Sequence, residues 1–215
     1  MKHKLLLIGA GGHCKVILDM LLKSKEYKAA GIIDVKKRSR GNVFGIRVVG
    51  TDSSLPSFFK KGVKYCFIAV GSIGNPALRV KLYNIAREYG FLFPNLIHPS
   101  AIISARAALG EGNYIGPGVI INAGTKIGNN CIINTGALIE HDCVIEDFVH
   151  IAPGVILSGN VFIDKNTHVG TGSSVIQGIT IGMNSVIGAG SVVVKNISSG
   201  SLAFGNPCKV KKINE

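Results

Sequence analysis

The sequence predicts two modules in series: an α/β, Rossmann-like module over residues 1–96 and a parallel β-helix over residues 97–198, followed by a cap or tail over 199–215. Three observations predict it. From Ile97 to Val193 an aliphatic residue recurs every sixth position, seventeen times without a break in register. Four residues after most of these stands a small or β-branched side chain, as at Ala101, Thr125, Cys131, Cys143, Ser173 and Ser185. Before Ile97 the chain instead alternates apolar runs with amphipathic stretches at helical spacing. A period of six suits neither a helix nor simple alternation, and it is the signature of a hexapeptide solenoid.

Taken in order, residues 4–9 (Lys-Leu-Leu-Leu-Ile-Gly) read as a buried parallel strand and not as a signal peptide. Gly9-Ala10-Gly11-Gly12-His13 makes a tight turn into a helix over 14–24, with Val16, Ile17, Met20 and Leu21 on one face. A second strand over 29–34 ends in Asp34, and a basic loop runs from Lys36 to Gly41. A third strand over 65–70 leads into Gly71-Ser72-Ile73-Gly74-Asn75, and Pro76 opens a helix to about Tyr89, with Leu78, Leu82, Ile85 and Ala86 at helical spacing. This alternation implies a small parallel sheet. Residues 91–100, with Pro94 and Pro99, join the modules without a flexible Gly/Ser linker.

In the solenoid each hexad supplies one short strand and a turn, so three hexads close a triangular coil and residues eighteen apart stack. The aliphatic residue points into the core with the small residue beside it. Only Asn113 looks out of place in the small-residue row. Gly110, Gly116, Gly128, Asn129, Gly170 and Gly182 are expected at corners that need unusual backbone angles. The polar and basic end of the chain is expected to cap the last coil.

Charge is divided unevenly. Of a net +12, residues 1–96 carry all of it, with 17 Lys/Arg against 5 Asp/Glu, while the rest of the chain balances 7 against 7. A basic module attracts anions: nucleic acid, an anionic membrane or a phosphorylated small molecule. The cations are spread and lack interleaved aromatics, which argues against a nucleic-acid surface. No apolar stretch is long enough to span a bilayer. The five cysteines, Cys14, Cys66, Cys131, Cys143 and Cys208, are scattered without metal or redox spacing, which suits a reducing, cytoplasmic setting.

Two constellations carry chemistry. The glycine turn puts backbone N–H groups at a helix N-terminus, an arrangement that binds phosphate. Gly9 and Gly11 suit the dinucleotide fingerprint, Cys14 replaces its third glycine, and Asp34 lies where an acid meets a ribose. These residues alone leave NAD, a nucleotide-sugar or no ligand open. In the solenoid, Glu140-His141-Asp142 breaks the hexad monotony. The stacked neighbours of His141 are Ala123 and Gly159, which leave a slot beside the imidazole, while His150 should stack on His168. A histidine beside a carboxylate can act as a general base, and an exposed Gly159 amide could meet an oxyanion. A zinc site on His141, His150 and His168 is disfavoured because their spacing leaves them at different corners or coils.

The Gly-x-Gly-Gly-His start, the basic loop after Asp34, and the hexad array with Asn134-Thr135, Glu140-His141-Asp142-Cys143 and His150 resemble the sialic-acid O-acetyltransferase type of hexapeptide acyltransferase. That group includes the bacillosamine- and perosamine-pathway enzymes that acetylate the 4-amino group of a nucleotide-linked sugar. The resemblance implies a left-handed β-helix, a homotrimer, and acetyl-CoA bound between subunits, with no metal. It implies His141 as the base for direct transfer, with Asp142 orienting it, where some members have Glu. It places Gly159 at the acetyl carbonyl and has Asn134 and His150 lining the site. Gly9, Gly11, Gly12, His13 and Asp34 would line the nucleotide-sugar pocket, with Lys36 or Lys37 near its phosphates. His150, Gly159, Gly205 and Lys209 would border CoA. The alternative acceptor is a sialic acid hydroxyl, acetylated with the same histidine chemistry.

Overall fold

The computed structural model describes residues 2–35 and 41–213, so Lys36 and Lys37 lie outside the described residues. The chain divides into two compact units, residues 1–71 with 77–96, and residues 72–76 with 97–215.

The first unit is a five-stranded sheet with helices. Its strands are β1 (His3–Ile8), β2 (Tyr27–Ile33), β3 (Asn42–Val43), β4 (Ile46–Gly50) and β5 (Tyr65–Ile68), in the order β3-β4-β2-β1-β5. All pairs are parallel except the β3–β4 hairpin. Central β1 is a continuous apolar run, Leu5 to Ile8, buried on both faces. Helix α1 (Gly12–Lys23) begins directly at the glycine turn, two residues before the expected start, and buries Cys14, Ile17, Leu18, Met20 and Leu21. Val16, expected on that face, is exposed. The hairpin and the short helix α2 (Leu55–Lys60) had no counterpart in the sequence reading. Helix α3 (Ala77–Glu88) buries Arg79, Leu82, Tyr83 and Ala86. Leu78 is 55% exposed and does not share the core face assigned to it. Arg79, 1% exposed, donates from Nη1 to the carbonyls of Ile68 and Val70 and so ties down the end of β5.

The second unit is a left-handed parallel β-helix of two-residue strands. One face stacks the strands that open at Ile102, Ile120, Leu138, Ile156, Ser174 and Val192. A second stacks those at Ala108, Lys126, Val144, Phe162 and Thr180, and the third includes those at Tyr114, Ile132, His150, His168 and Val186. Register between the two-residue strands is eighteen residues, as in Ile121↔Ile139 and Ile139↔Leu157, and shortens to sixteen where Val186 pairs with Leu202. The hexad aliphatic is the second residue of each two-residue strand; from Ile115 to Val193 it is buried in the core, Ile103 and Leu109 pack partly buried against it, and Ile97, expected there too, is 42% exposed. Ser201–Phe204 adds in parallel at the C-terminal end, and Lys209–Ile213 folds back antiparallel upon it.

The small-residue row does more than fill space. Thr125, Cys131, Cys143, Thr167 and Ser173 each donate to the backbone carbonyl fifteen residues on. Asn113 joins the same row: its Nδ2 donates to Gly128 O at 2.8 Å, and its Oδ1 accepts from Cys131 N at 2.7 Å. An amide in an apolar core is thereby satisfied.

The corner glycines separate into two kinds. Positive φ recurs every six residues from Gly112 to Gly190, the pattern of a type II turn, and includes Asn130, Asp142 and Phe148. Gly110, Gly116, Gly128, Gly170 and Gly182 are not among these, so the expected angles are corrected. They are glycine because adjacent coils touch there: a Cβ at Gly170 would stand 2.6 Å from Ala189 N.

Candidate active site

The corner between Leu138–Ile139 and Val144–Ile145 carries Glu140-His141-Asp142, and Cys143 turns into the core. Asp142 takes the left-handed position of this corner, at φ 58°. A short polar residue tolerates that conformation. Asp142 Oδ2 lies 2.9 Å from His141 Nδ1, and the two side chains are 52% and 58% exposed for His141 and Asp142 respectively. The carboxylate accepts the Nδ1 proton, which leaves Nε2 with its lone pair free for a substrate.

The imidazole lies against Gly159. A Cβ there would stand 2.6 Å from both Cε1 and Nε2. The slot expected beside the ring is therefore occupied by the ring itself, and Gly159 is buried beneath it instead of exposed. The reason is packing, since a residue without a Cβ leaves a recess that a surface ring can fill. The Gly159 N–H has no hydrogen-bond partner among the described residues. Gly124, which sequence reasoning missed, does for Asp142 what Gly159 does for His141: a Cβ there would run into Asp142 Oδ1. The same eighteen-residue arithmetic, taken back from 142, would have found it.

Cys143 is no nucleophile in this arrangement. Burial pushes its thiol pKa up, and Sγ donates to Ser158 O at 3.2 Å.

Asn134 and His150 meet each other but not His141. Asn134 follows the third-face strand Ile132–Ile133, and His150 opens the next strand on that face. Asn134 Nδ2 is 3.3 Å from His150 Nε2, and His150 Nδ1 is 2.6 Å from Ser72 O. His168 stacks on His150 edge to face, at 4.8 Å between centroids. Burial lowers the pKa of His168, and its Nδ1 has no partner among the described residues. Gly205 and Lys209 are placed at the C-terminal end, where Gly205 bonds Val192 and Ser191, on a different corner from His141.

In the first unit, Gly9, Gly11, Gly12, His13 and Asp34 line one cavity of about 400 Å³ with Val70, Gly71 and Leu78. Gly9 is demanded by the fold: its φ is 111° and a Cβ would collide with Val70. Gly11 and Gly12 meet no such limit, since nothing lies within 4 Å of a Cβ at either. Their bareness leaves room in the cavity. Asp34 clamps the loop, with Oδ2 accepting from Ala10 N and Oδ1 from Val35 N, both at 2.6 Å. Cys14, at the third fingerprint position, is buried, and burial with the Asp34 charge pushes its pKa up to about 11. Helix α1 has no acidic residue in its first turn and no side-chain cap, so its N–H groups face the cavity region uncompensated by a carboxylate of its own turn.

Among the described residues no group of three or more His, Cys, Asp or Glu side chains is placed to hold a metal, and no helix is long and apolar enough to cross a membrane.

Residues 4–86 match the PglD N-terminal domain, and residues 124–159 match the bacterial transferase hexapeptide (six repeats). Among solved structures, perosamine N-acetyltransferase from Caulobacter crescentus, in complex with CoA and GDP-perosamine, is 40% identical over 97% of each chain, with a TM-score of 0.92. The acetyltransferase domain of PglB from Neisseria gonorrhoeae, in complex with acetyl coenzyme A, is 36% identical over 98% of this chain and 100% of that one, with a TM-score of 0.87. WeeI from Acinetobacter baumannii, at 24% identity and a TM-score of 0.83, shares the fold. No curated protein matches the chain.

Proposed function

The chain belongs to the family that contains perosamine N-acetyltransferase and the PglB acetyltransferase, and on that premise we propose that it transfers acetyl from acetyl-CoA to the 4-amino group of a nucleotide-linked amino sugar. The observation that carries the chemistry is the exposed His141 imidazole, held through Nδ1 by Asp142 with Nε2 open.

An ammonium is no nucleophile, so the reaction begins with an amine that can lose a proton. The amine nitrogen attacks the thioester carbonyl, and His141 Nε2 takes the proton as the C–N bond forms. The tetrahedral intermediate collapses, the C–S bond breaks, and the CoA thiolate leaves to be protonated. Asp142 steadies the imidazolium in between. The Gly159 N–H, on a residue buried under the His141 ring and with no partner among the described residues, is the donor proposed for the oxyanion, a contribution of about 3–4 kcal/mol that needs the ring to make way for the acetyl group. Direct transfer is favoured because the only cysteine beside His141 is turned inward.

The glycine-loop cavity is the proposed seat of the nucleotide-sugar. A bare helix N-terminus and a basic module suit a diphosphate better than a lone carboxylate. Gly205 and Lys209 are proposed to border CoA. The active unit is proposed to be a homotrimer: on one chain the Asn134 face and the His141 corner are apart, so a site using both draws on two copies.

The test is acetyl-CoA consumption with a panel of nucleotide-linked 4-amino sugars and, in parallel, sialic acid. Turnover is expected only with the amino sugars, and His141→Ala should lower it about 10²–10⁴-fold with the oligomer intact. Asp142→Asn should cost less. Activity on sialic acid alone, or wild-type turnover in folded His141→Ala, would reject the reading.

A further inference from the structure

Three hydrogen bonds run in series on the third face of the β-helix, and chemistry allows only one direction for them. Thr135 N–H can only donate, and it lies 2.9 Å from Asn134 Oδ1. The amide oxygen is therefore turned to Thr135, and the Asn134 Nδ2 donors face His150 Nε2. That nitrogen must accept. At the other end Ser72 offers a carbonyl, which can only accept, 2.6 Å from His150 Nδ1. The proton is on Nδ1. Both ends of the chain are backbone groups, so neither can be reversed. A doubly protonated ring would set an Nε2–H against the Asn134 N–H groups.

The group that His150 holds is not part of the β-helix coils. Ser72 is seventy-eight residues away in sequence and opens the Ser72–Pro76 segment. That segment has a second seat on the same face: Gly74 lies against Val186, where a Cβ would stand 3.2 Å from Cγ2. His150, His168 and Val186 follow one another up this face in register. His168 stacks edge to face on His150 at 4.8 Å, burial disfavours its charged form, and its Nδ1 makes no hydrogen bond among the described residues, a setting that suits a neutral His150. On the other side, Ser72 is joined by one peptide bond to Gly71, which with Val70 lines the glycine-loop cavity.

We propose that His150 is a positioning residue for the nucleotide-sugar: neutral and protonated on Nδ1, it fastens Ser72 to the β-helix and so fixes the Val70–Gly71 wall of the cavity. This rests on the reading of that cavity as the nucleotide-sugar site. A contact between His150 and acetyl-CoA, which the family resemblance implies, makes a different kinetic prediction, so the two can be told apart.

The experiment compares wild type, His150→Leu, which cannot donate, and His150→Gln, which offers an amide N–H in place of Nδ1–H. With an active nucleotide-linked amino sugar, His150→Leu should raise its KM about 5–10-fold through loss of the hydrogen bond to Ser72, a larger change than any in kcat or in the KM for acetyl-CoA. His150→Gln should restore most of the affinity. In the same protein, amide exchange at Ser72 to Asn75 should quicken in His150→Leu and return in His150→Gln. Nitrogen-15 spectra of the wild-type imidazole should show a proton on Nδ1 and none on Nε2 through neutral pH. A proton on Nε2, unchanged exchange, or a loss confined to kcat or to the acetyl-CoA KM would overturn the proposal. If no amino sugar is turned over, the functional reading fails by itself, and the tautomer and exchange measurements still decide the latch.

Discussion

Gly159→Ala probes the seat of the proposed base without touching the base. A methyl group at residue 159 would stand 2.6 Å from His141 Cε1 and Nε2, whereas ordinary contact begins at 3.4 Å. The neighbouring atoms belong to a half-exposed side chain, so the ring can retreat into solvent by about 1 Å at little cost to the fold. The backbone at 159 has no positive φ, and the substitution keeps the N–H proposed for the oxyanion. A displacement of about 1 Å at a reacting group can cost about 10²-fold in rate, and that is the fall in kcat expected here. The assay is CoA thiol release, followed with a chromogenic disulfide, beside thermal melting and gel filtration to show that the variant is folded. A double-mutant cycle gives the sharper result. In a His141→Ala background the ring is gone, and Gly159→Ala should then change turnover little. If the two losses simply add, or if Gly159→Ala alone stays within about threefold of wild type, the seat does not matter and the argument from the glycine is wrong.

Two further outcomes follow from the core. Asn113→Ala leaves Gly128 O and Cys131 N without their partner, and unfolding in urea should show a loss of about 2 kcal/mol or more. His168 has its pKa lowered by burial from the ordinary 6.5, so below that value the unfolded chain takes up a proton that the fold refuses. Stability is then full above about pH 6.5 and is lost as pH falls from there through the folded value; His168→Gln should flatten that part of a urea-midpoint-against-pH curve.

The β-helix was legible because six is a period that only one architecture uses, and each hexad aliphatic became the second residue of a strand. What periodicity could not give was cause. It showed glycines recurring but not that those at 110, 116 and 128 make room for a neighbouring coil while Gly112, Gly118 and Asn130, two positions further on, bend the chain. It flagged Asn113 as odd because composition cannot show a carbonyl fifteen residues away. In the first unit the hairpin of β3 and β4 was lost because one two-residue and one five-residue strand, outside any repeat, carry too little pattern, and a buried arginine such as Arg79 reads like any surface cation on a helix. At the candidate site, His141, Asp142 and Gly159 could be brought together by adding eighteen. The partnership of His150 with Ser72 could not, because the link leaves the repeat altogether.

The left-handed bend at Asp142 makes one residue answer to two masters. Asparagine or glycine would keep the bend and surrender the negative charge. Glutamate, which some relatives of the resembled type carry, would keep the charge but give up the short polar side chain that best suits that backbone. A redesign that treats residue 142 as chemistry alone will therefore burden the scaffold, and one that treats it as scaffold alone will weaken the imidazole.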